Sequence, residues 1–357
     1  MKILDLYIIK KYIGTFFMML GLFIPIGIMV DIAEKIDKFK ENEVPTEKII
    51  DYYIDFIWYF GNQLYPVFIF LAVIWFTSRI ANNTEITAML SSGLSYNRFL
   101  RPYLISASLI MLFTFFSGMF IVPKSNLRFN EFISTYVKNK DERQTDRLFK
   151  QINNNEYVYV SSYDPSRKRG MNFTLEHFNG IKMEHKISST NIRWLEEDSV
   201  FRLMNYRIRT FKDDLEILEK INYKDTILDF NINDLAPVNY VAETLNYSQL
   251  NKLIRYEKSS GSTLINSHLL VRHKRYTLPL SCFVLSIIGV SVSSFKQRGG
   301  LGLNLAIGVS LGFFFIFLDK ILGVLVVKSN FSPGMAAWGV IFIFSLIAFF
   351  LLKKAMK

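Results

Sequence analysis

The sequence predicts a helical membrane protein with six transmembrane helices and an all-β domain inserted between the third and the fourth. Half of its 357 residues are hydrophobic and only 20% are charged, whereas about a quarter of the residues in a soluble domain are charged. Six long segments carry no charged side chain, and the longest interval between two of them changes to an alternating, strand-like pattern. The aromatic content excludes a disordered chain, and the single cysteine, Cys282, excludes a disulfide framework.

Each apolar segment is long enough to cross a bilayer as a helix, because about 20 residues at a rise of about 1.5 Å span the hydrocarbon core. The first segment is too long for a signal peptide and lacks a cleavage site, so we expect it to remain as an anchor. The fifth continues past Asp319 and Lys320 through Ile321–Val327, which leaves its end open. The six predicted spans are Tyr12–Val30, Phe56–Ser78, Pro102–Val122, Tyr276–Phe295, Leu301–Leu318 and Pro333–Leu352.

Lysine and arginine concentrate in one set of short connecting segments, and this asymmetry predicts the orientation. With the N-terminus inside, the inner segments carry eleven basic residues against two acids, Asp5 and Glu85, an excess of nine out of a net charge of +11. Basic residues on the inner side are typical of membrane proteins. The charge therefore indicates no nucleic-acid partner, and both termini are expected in the cytoplasm.

Residues 123–275 are predicted to lie on the outer side and to form the β domain. Alternating segments separated by turns such as Asn179-Gly180 are typical of a sandwich or an open barrel. Residues 124–148 are expected to continue the third span as a helix, and Tyr247–Tyr256 to lead helically into the fourth. The predicted strands lie in Tyr157–Val160, Met171–Phe178, Ile187–Leu195, Val200–Phe211 and Ile217–Phe230. The predicted domains are residues 1–123, 124–270 and 271–357.

Motifs of ATP hydrolysis and of metal-dependent hydrolysis are absent from the sequence, which contains no G-x-x-x-x-G-K-[ST] or H-E-x-x-H pattern. One G-x-S-x-G match, Gly308–Gly312, lies inside the fifth predicted span and not at a strand-to-helix turn, where that motif positions a nucleophile. None of the four histidines lies inside a predicted span, where a membrane enzyme needs facing acid–base groups. We therefore expect no catalytic residue, no metal site and no cofactor in this chain.

A short amphipathic helix is predicted near residues 84–92, in the inner loop between the second and third spans. Asn83 or Thr84 can cap its start, and Gly93 suits the position after its end. Its apolar face carries Ile86, Met89 and Leu90. Two interpretations stay open: a connector whose Glu85 neutralises nearby arginines, or a rigid element docked into a cytoplasmic partner.

These residues resemble the coupling helix of the lipopolysaccharide-export permeases, the LptF/LptG family of ABC transporter subunits. The resembling segment is Asn83–Leu94, and His273–Leu280 enters the fourth span as in that family. Arg298–Gly302 opens the fifth span, and Leu318–Gly323 is closer to the LptG branch than to LptF. The similarity covers nearly the whole chain, and it implies that the outer domain is a β-jellyroll.

The resemblance implies a permease in the bacterial inner membrane that extracts lipopolysaccharide. Its partners would be a homologous LptF-like permease, a cytoplasmic LptB-like ATPase dimer that binds ATP and magnesium, and periplasmic LptC/LptA-like jellyroll proteins. The ATPase-coupling residues would be Glu85, Ile86, Met89 and Gly93. A membrane-anchored scaffold of the cell envelope without transport activity is the alternative, and a lipid-modifying enzyme is a third hypothesis.

Three lysines at the outer end of the first span, Lys35, Lys38 and Lys40, alternate with acids. Either they belong to a solvated, self-paired helix extension, or they bind phosphates of a lipid headgroup, since an ammonium is a compact point charge. The resemblance implies the second role for basic residues here. Asp31, however, stands where the LptG branch has a contacting lysine, and the position near Tyr59 lacks another.

Two features of the fifth span also carry alternatives. Asp319 and Lys320 point about 100° apart on a helix and cannot simply pair, so they either reach the membrane boundary or serve the cavity or a subunit contact. The small residues Gly308 and Gly312 allow close helix packing within the chain, or form a movable contact with the partner permease. The resemblance places the lateral gate between the first and fifth spans.

The β domain has a candidate interior made of alternating apolar residues. It either is a sealed structural core or receives acyl chains between its sheets. The residues in question are Val158, Val160, Phe173, Ile192, Trp194 and Leu203.

Overall fold

The computed structural model describes residues 3–137, 146–164, 167–195, 199–212, 215–228, 230, 240–259, 262, 264–294, 300–329 and 331–356. The chain divides into two compact units. The first contains residues 1–132, 243–247 and 266–357, and the second contains residues 133–242 and 248–265. The first is helical, and the second contains the sheet.

Six helical segments among the described residues are long and apolar enough to cross a membrane, which confirms the predicted number of spans. The third is one helical segment, because α4 continues through a π-helical turn, Ser117–Ile121, into α5 and a second turn, Ile133–Val137. The helices are α1 Ile3–Glu41, α2 Thr46–Asn82, α3 Glu85–Ser91, α4 Tyr96–Phe116, α5 Val122–Phe132, α6 Val241–Thr244, α7 Tyr247–Ser259, α8 Ile265–Ser293, α9 Gly300–Ser329 and α10 Pro333–Ala355.

The α2 helix lies at the centre of the membrane unit. In its most apolar window 78% of the residues are buried, against 11% in α1 and 17% in α9. Glycines allow neighbouring helices to reach it: a Cβ on Gly289 of α8 would lie 2.8 Å from Val73 Cγ1, and one on Gly308 of α9 would lie 2.3 Å from Ile74 Cδ1. The exposed apolar faces of α1 and α9 are thus left for lipid or for another chain.

The β unit contains a six-stranded antiparallel sheet in the order β1 to β6. The predicted all-β domain is confirmed, and four of the five predicted strand segments lie within strands. The fifth, Ile217–Phe230, is too long at its end, because β6 ends at Thr226. The expectation of a helix up to residue 148 is wrong at its end, because β1 begins at Asp146 and places Leu148 in the apolar core. The strands are β1 Asp146–Asn153, β2 Glu156–Asp164, β3 Arg169–Asn179, β4 Lys182–Leu195, β5 Val200–Lys212 and β6 Leu215–Thr226.

A polar row interrupts the ladder in the middle of the sheet. Asn172 and Asn205 have left-handed backbone, with φ of 50° and 52°. Asn172 Nδ2 donates to Ser161 Oγ over 3.1 Å, and Asn205 Nδ2 donates to Thr190 Oγ1 over 3.1 Å. The strand register is the same on both sides of these positions, so neither inserts an extra residue into the sheet.

Candidate lipid cavity and coupling helix

An apolar cavity of about 480 Å³ lies between α1, α2 and α9, which are the first, second and fifth spans. Gly27 of α1 permits the close approach of α2, because a Cβ there would lie 2.9 Å from Phe60 Cε1. Its lining is mostly phenylalanine, valine and leucine, with Asp31 and Glu34 among the lining residues. The phenylalanines that line it are Phe23, Phe56, Phe60, Phe68 and Phe313. The apolar part of this lining is suited to alkyl chains.

Asp31, at the polar part of this cavity, is surrounded by partners. Lys35 forms a salt bridge with it one helical turn away. The hydroxyls of Tyr52 and Tyr53 donate to Asp31 Oδ2 over 3.0 and 3.3 Å. Lys35 Nζ also donates to Tyr52 Oη over 2.6 Å and lies 5.9 Å from the centre of the Phe129 ring. Lys35 is therefore paired with an acid of its own helix, as in the first of the two alternatives for these lysines.

Lys38 and Lys40 differ from Lys35. Both side chains are exposed, on a helix that extends to Glu41, and among the described residues neither has an ion-pair partner. Of the three predicted headgroup lysines, these two are the ones whose ammonium groups are available to an anionic ligand.

The predicted amphipathic helix exists as α3, Glu85–Ser91. Ile86 is 1% exposed, and Met89 and Leu90 pack against the same core. Gly93 has φ of 88° directly after the C-cap, as predicted. The predicted side-chain cap is wrong: Thr84 precedes the helix with φ of 64°, and its hydroxyl donates to Asn83 O over 2.6 Å instead of to the helix.

Glu85 connects α3 to α1. The Tyr7 hydroxyl donates to Glu85 Oε2 over 3.2 Å, and Asn83 Nδ2 donates to Glu85 Oε1 over 3.3 Å. Near the same end of α1, Arg98 of α4 donates through both terminal nitrogens to Asp5, each over 2.7 Å. The start of α1 is therefore attached to α3 and to the first turn of α4.

The outer surface of α3 is small and polar. Thr87, Ala88 and Ser91 are exposed, whereas Ile86 is buried in the bundle. Of the four residues predicted to couple to an ATPase, Ile86 thus holds α3 in place, Glu85 and Met89 are half-buried, and Gly93 is exposed. The geometry allows a partner to contact α3 without unfolding it.

Asp319 pairs with another helix and not with its neighbour, as the angular argument predicted. Lys274 Nζ of α8 donates to Asp319 Oδ2 over 2.7 Å, and Lys320 is exposed. The pair lines a cavity of about 180 Å³ together with Asn62 and Arg275.

Gly308 and Gly312 both lie against α2 of the same chain. A Cβ on Gly312 would lie 3.6 Å from Val67 Cγ2, and Gly308 is closer still to Ile74. In this structure the two glycines therefore serve close helix packing within the chain, the first of their two alternatives.

All six predicted interior residues of the β unit belong to one apolar cluster. Val158, Phe173, Ile192 and Leu203 are completely buried, Val160 is 1% exposed, and Trp194 is half-buried. The described strands form one sheet, so the second sheet of a sandwich is not among the described residues.

Sequence reasoning missed the ionic contacts between helices of the membrane unit: Asp5–Arg98, Lys274–Asp319 and a third pair. Arg128 of α5 holds the buried Asp55 of α2 through two hydrogen bonds of 2.8 and 2.5 Å. The signal was an acid directly before an apolar run. Its partner could not be recognised from the sequence, because the two residues are 73 positions apart.

A family model described as the lipopolysaccharide export system permease LptF/LptG matches residues 6–354. The match does not separate the two branches, so a closer relation to LptG stays a prediction. A search of curated proteins found no match. Because the matched region covers almost all of a chain with six apolar helices and an inserted β sheet, the chain belongs to the LptF/LptG family of lipopolysaccharide export permeases.

Proposed function

We propose that this chain is one transmembrane subunit of an ABC-type exporter that extracts lipopolysaccharide from the bacterial inner membrane and is driven by a separate ATPase. The family match over residues 6–354 carries the proposal. The chain contains no phosphate-binding loop of the usual ATPase type, so the energy has to come from another subunit.

The apolar cavity between α1, α2 and α9 supports a role in holding acyl chains. Moving an acyl chain into water costs about 0.8 kcal/mol for each CH₂ group, so a lipid with several chains needs an apolar surface at every step. The phenylalanine lining supplies such a surface, and the cavity lies between the first and fifth spans, where a lipid entering sideways would pass.

The contacts of α3 support a route for mechanical coupling. An ATPase that displaces α3 pulls on Glu85, and the Tyr7 hydrogen bond and the Asp5–Arg98 pair transmit the displacement to α1. Because α1 forms one wall of the cavity, its movement changes the cavity volume. Lys38 and Lys40, further along the same helix, then contact the phosphates of the cargo.

We place α3 and both termini in the cytoplasm and the β unit in the periplasm, on the basis of the asymmetric distribution of basic residues. The apolar face of the β unit receives acyl chains. Among the described strands β6 is an edge strand, and it is exposed from Leu215 to Asp225. Its outer edge is where the next periplasmic jellyroll protein docks. A homologous permease completes the cavity from the side of α1 and α9.

Affinity purification from native membranes, with identification of bound subunits and lipid, tests this proposal. We expect an ATPase, a second permease and lipopolysaccharide to be recovered with the wild-type chain. Glu85→Arg should lose the ATPase and keep the permease partner, whereas Glu47→Arg, an equal charge reversal at the start of α2, should keep both. If the wild-type chain is recovered without an ATPase, it is a scaffold and not a transporter subunit.

A further inference from the structure

Three arginines stand side by side across the sheet. In the strand register Arg169 of β3 pairs with Arg193 of β4, and Arg193 pairs with Arg202 of β5. An aspartate flanks the row at each end: Asp164 of β2 opposite Arg169, and Asp225 of β6 opposite Arg202. Like charges directly opposite each other on neighbouring strands destabilise a sheet. Folding alone does not favour this arrangement.

The flanking aspartates do not satisfy all of the arginines. Arg202 is bound by Asp225 through two hydrogen bonds of 2.8 and 2.7 Å, which hold the pKa of Asp225 below its ordinary value. Asp164 lies 3.7 Å from Arg167 and is not bound by Arg169. Among the described residues, the guanidinium groups of Arg169 and Arg193 have no hydrogen-bond or ion-pair partner, and Arg169 Nε is buried.

The arginines share one concave surface. A concavity of about 780 Å³ is lined by Arg167, Arg169, Arg193 and Arg202, together with Asn191 and Tyr223. These residues lie on the face opposite the apolar cluster, since Arg193 alternates with Ile192 and Trp194, which both pack in that cluster. A planar guanidinium donates two parallel hydrogen bonds to a phosphate, so unsatisfied guanidinium groups that line one concavity form a phosphate-binding surface.

We infer that this arginine row is a binding site for phosphate groups, and that its ligand is a saccharide carrying more than one phosphate. Neighbouring strands lie about 4.8 Å apart, so the row extends over about 10 Å, from Arg169 and Arg193 to Arg202, which has to exchange Asp225 for a phosphate. That width fits a ligand with separated phosphates better than the single phosphate of an ordinary phospholipid. The choice of a saccharide rests on the proposed function, because a lipopolysaccharide headgroup is a phosphorylated sugar; the phosphate site itself does not depend on it.

The β4–β5 connection provides a competing explanation. In the sequence it carries Glu196, Glu197 and Asp198, which lie outside the described residues. If these acids neutralise the arginines, no anion is bound.

Binding to the full chain in neutral detergent distinguishes these cases by calorimetry. The probes are glucose 1,6-bisphosphate with glucose as its neutral control, and dihexanoyl phosphatidylglycerol with dihexanoyl phosphatidylcholine. We expect the bisphosphate to bind more tightly than the phosphatidylglycerol, and neither neutral control to bind. Arg169→Gln and Arg193→Gln should each weaken binding at least about tenfold, as expected for lost charged hydrogen bonds.

Arg207→Gln is the matched control, because Arg207 is exposed on β5 and lies outside the row. This substitution should change the binding affinity by less than about twofold. No bisphosphate binding, or binding unchanged in Arg169→Gln and Arg193→Gln, overturns the site. If phosphatidylglycerol binds more tightly than the bisphosphate, the ligand is a phospholipid headgroup and not a phosphorylated saccharide. No ATPase or transport step enters the measurement, so its failure is distinct from a failure of the proposed transport function.

Discussion

Tyr7 and Glu85 are joined by a hydrogen bond of 3.2 Å across 78 residues of sequence. The bond links the first turns of α1 to α3, which has only seven residues. A helix this short has little stability of its own, so its position depends on its buried apolar face and on this bond. Whatever moves α3 therefore acts on α1, the helix that forms a wall of the apolar cavity.

Tyr7→Phe removes only the hydroxyl of this contact. We expect a loss of about 0.5–1.5 kcal/mol of coupling free energy, seen as a lower ratio of lipid released to ATP hydrolysed in proteoliposomes. ATP hydrolysis itself should change little, because the proposed exporter hydrolyses ATP on a separate subunit. An unchanged ratio would show that α3 acts on the bundle through its apolar face alone.

Gly308→Ala should destabilise the membrane unit by about 1–3 kcal/mol, because the added methyl group overpacks the contact with α2. The new Cβ would lie 2.3 Å from Ile74 Cδ1, and Ile74 is completely buried. Thermal unfolding in detergent measures the effect. The second change Ile74→Val removes that Cδ1 and should restore stability, whereas Gly302→Ala, with nothing within 4 Å, should leave it unchanged. Equal stability of all variants would argue against tight packing of α9 on α2.

The three lysines of α1 should separate into one structural residue and two functional ones. Lys35→Gln leaves the buried Asp31 without its cation, so we expect a lower unfolding temperature. Lys38→Gln with Lys40→Gln removes only exposed charges, and it should preserve stability while reducing photocrosslinking to lipopolysaccharide. If lipopolysaccharide crosslinks to Lys35 and not to Lys38 or Lys40, the headgroup contact lies near Asp31 instead.

The stability of the β unit should fall as the pH decreases below about 6.5. His177 and His185 stack with ring centres 4.8 Å apart, and burial, followed by the nearby His177, lowers the pKa of His185 from its ordinary value of 6.5. The unfolded chain then binds more protons than the folded one, so stability is present above 6.5 and is lost below it.

His185→Gln should reduce the slope with which the free energy of unfolding changes with pH. The measurement is urea unfolding at several pH values, followed by the fluorescence of Trp194 after the other three tryptophans are replaced by Phe. A slope that is identical in both proteins would assign the pH dependence to other groups.

The sequence was most informative where a property is local. The number of spans follows from the length and polarity of single segments, and Gly93 follows from the geometry of a helix end. The salt bridge of Asp31 with Lys35 was visible as a spacing of one helical turn. Such features need only neighbouring residues.

Contacts between distant segments were not predictable in the same way. The tyrosines that bind Asp31, the Asp55–Arg128 pair and the arginine row each depend on which helices or strands become neighbours. β1 was missed because its charged start resembles the end of the preceding helix. The jellyroll expectation came from the family resemblance and stays a prediction, because the described residues show one six-stranded antiparallel sheet.

ATP-driven release of lipopolysaccharide from proteoliposomes tests the central claim most directly. The proteoliposomes contain this chain, its partner permease and the ATPase, and periplasmic acceptor protein is added outside. We expect release with the wild-type chain, none without the ATPase, none with Glu85→Arg, and full release with Glu47→Arg. Release without the ATPase, or full release with Glu85→Arg, would contradict transport driven through α3.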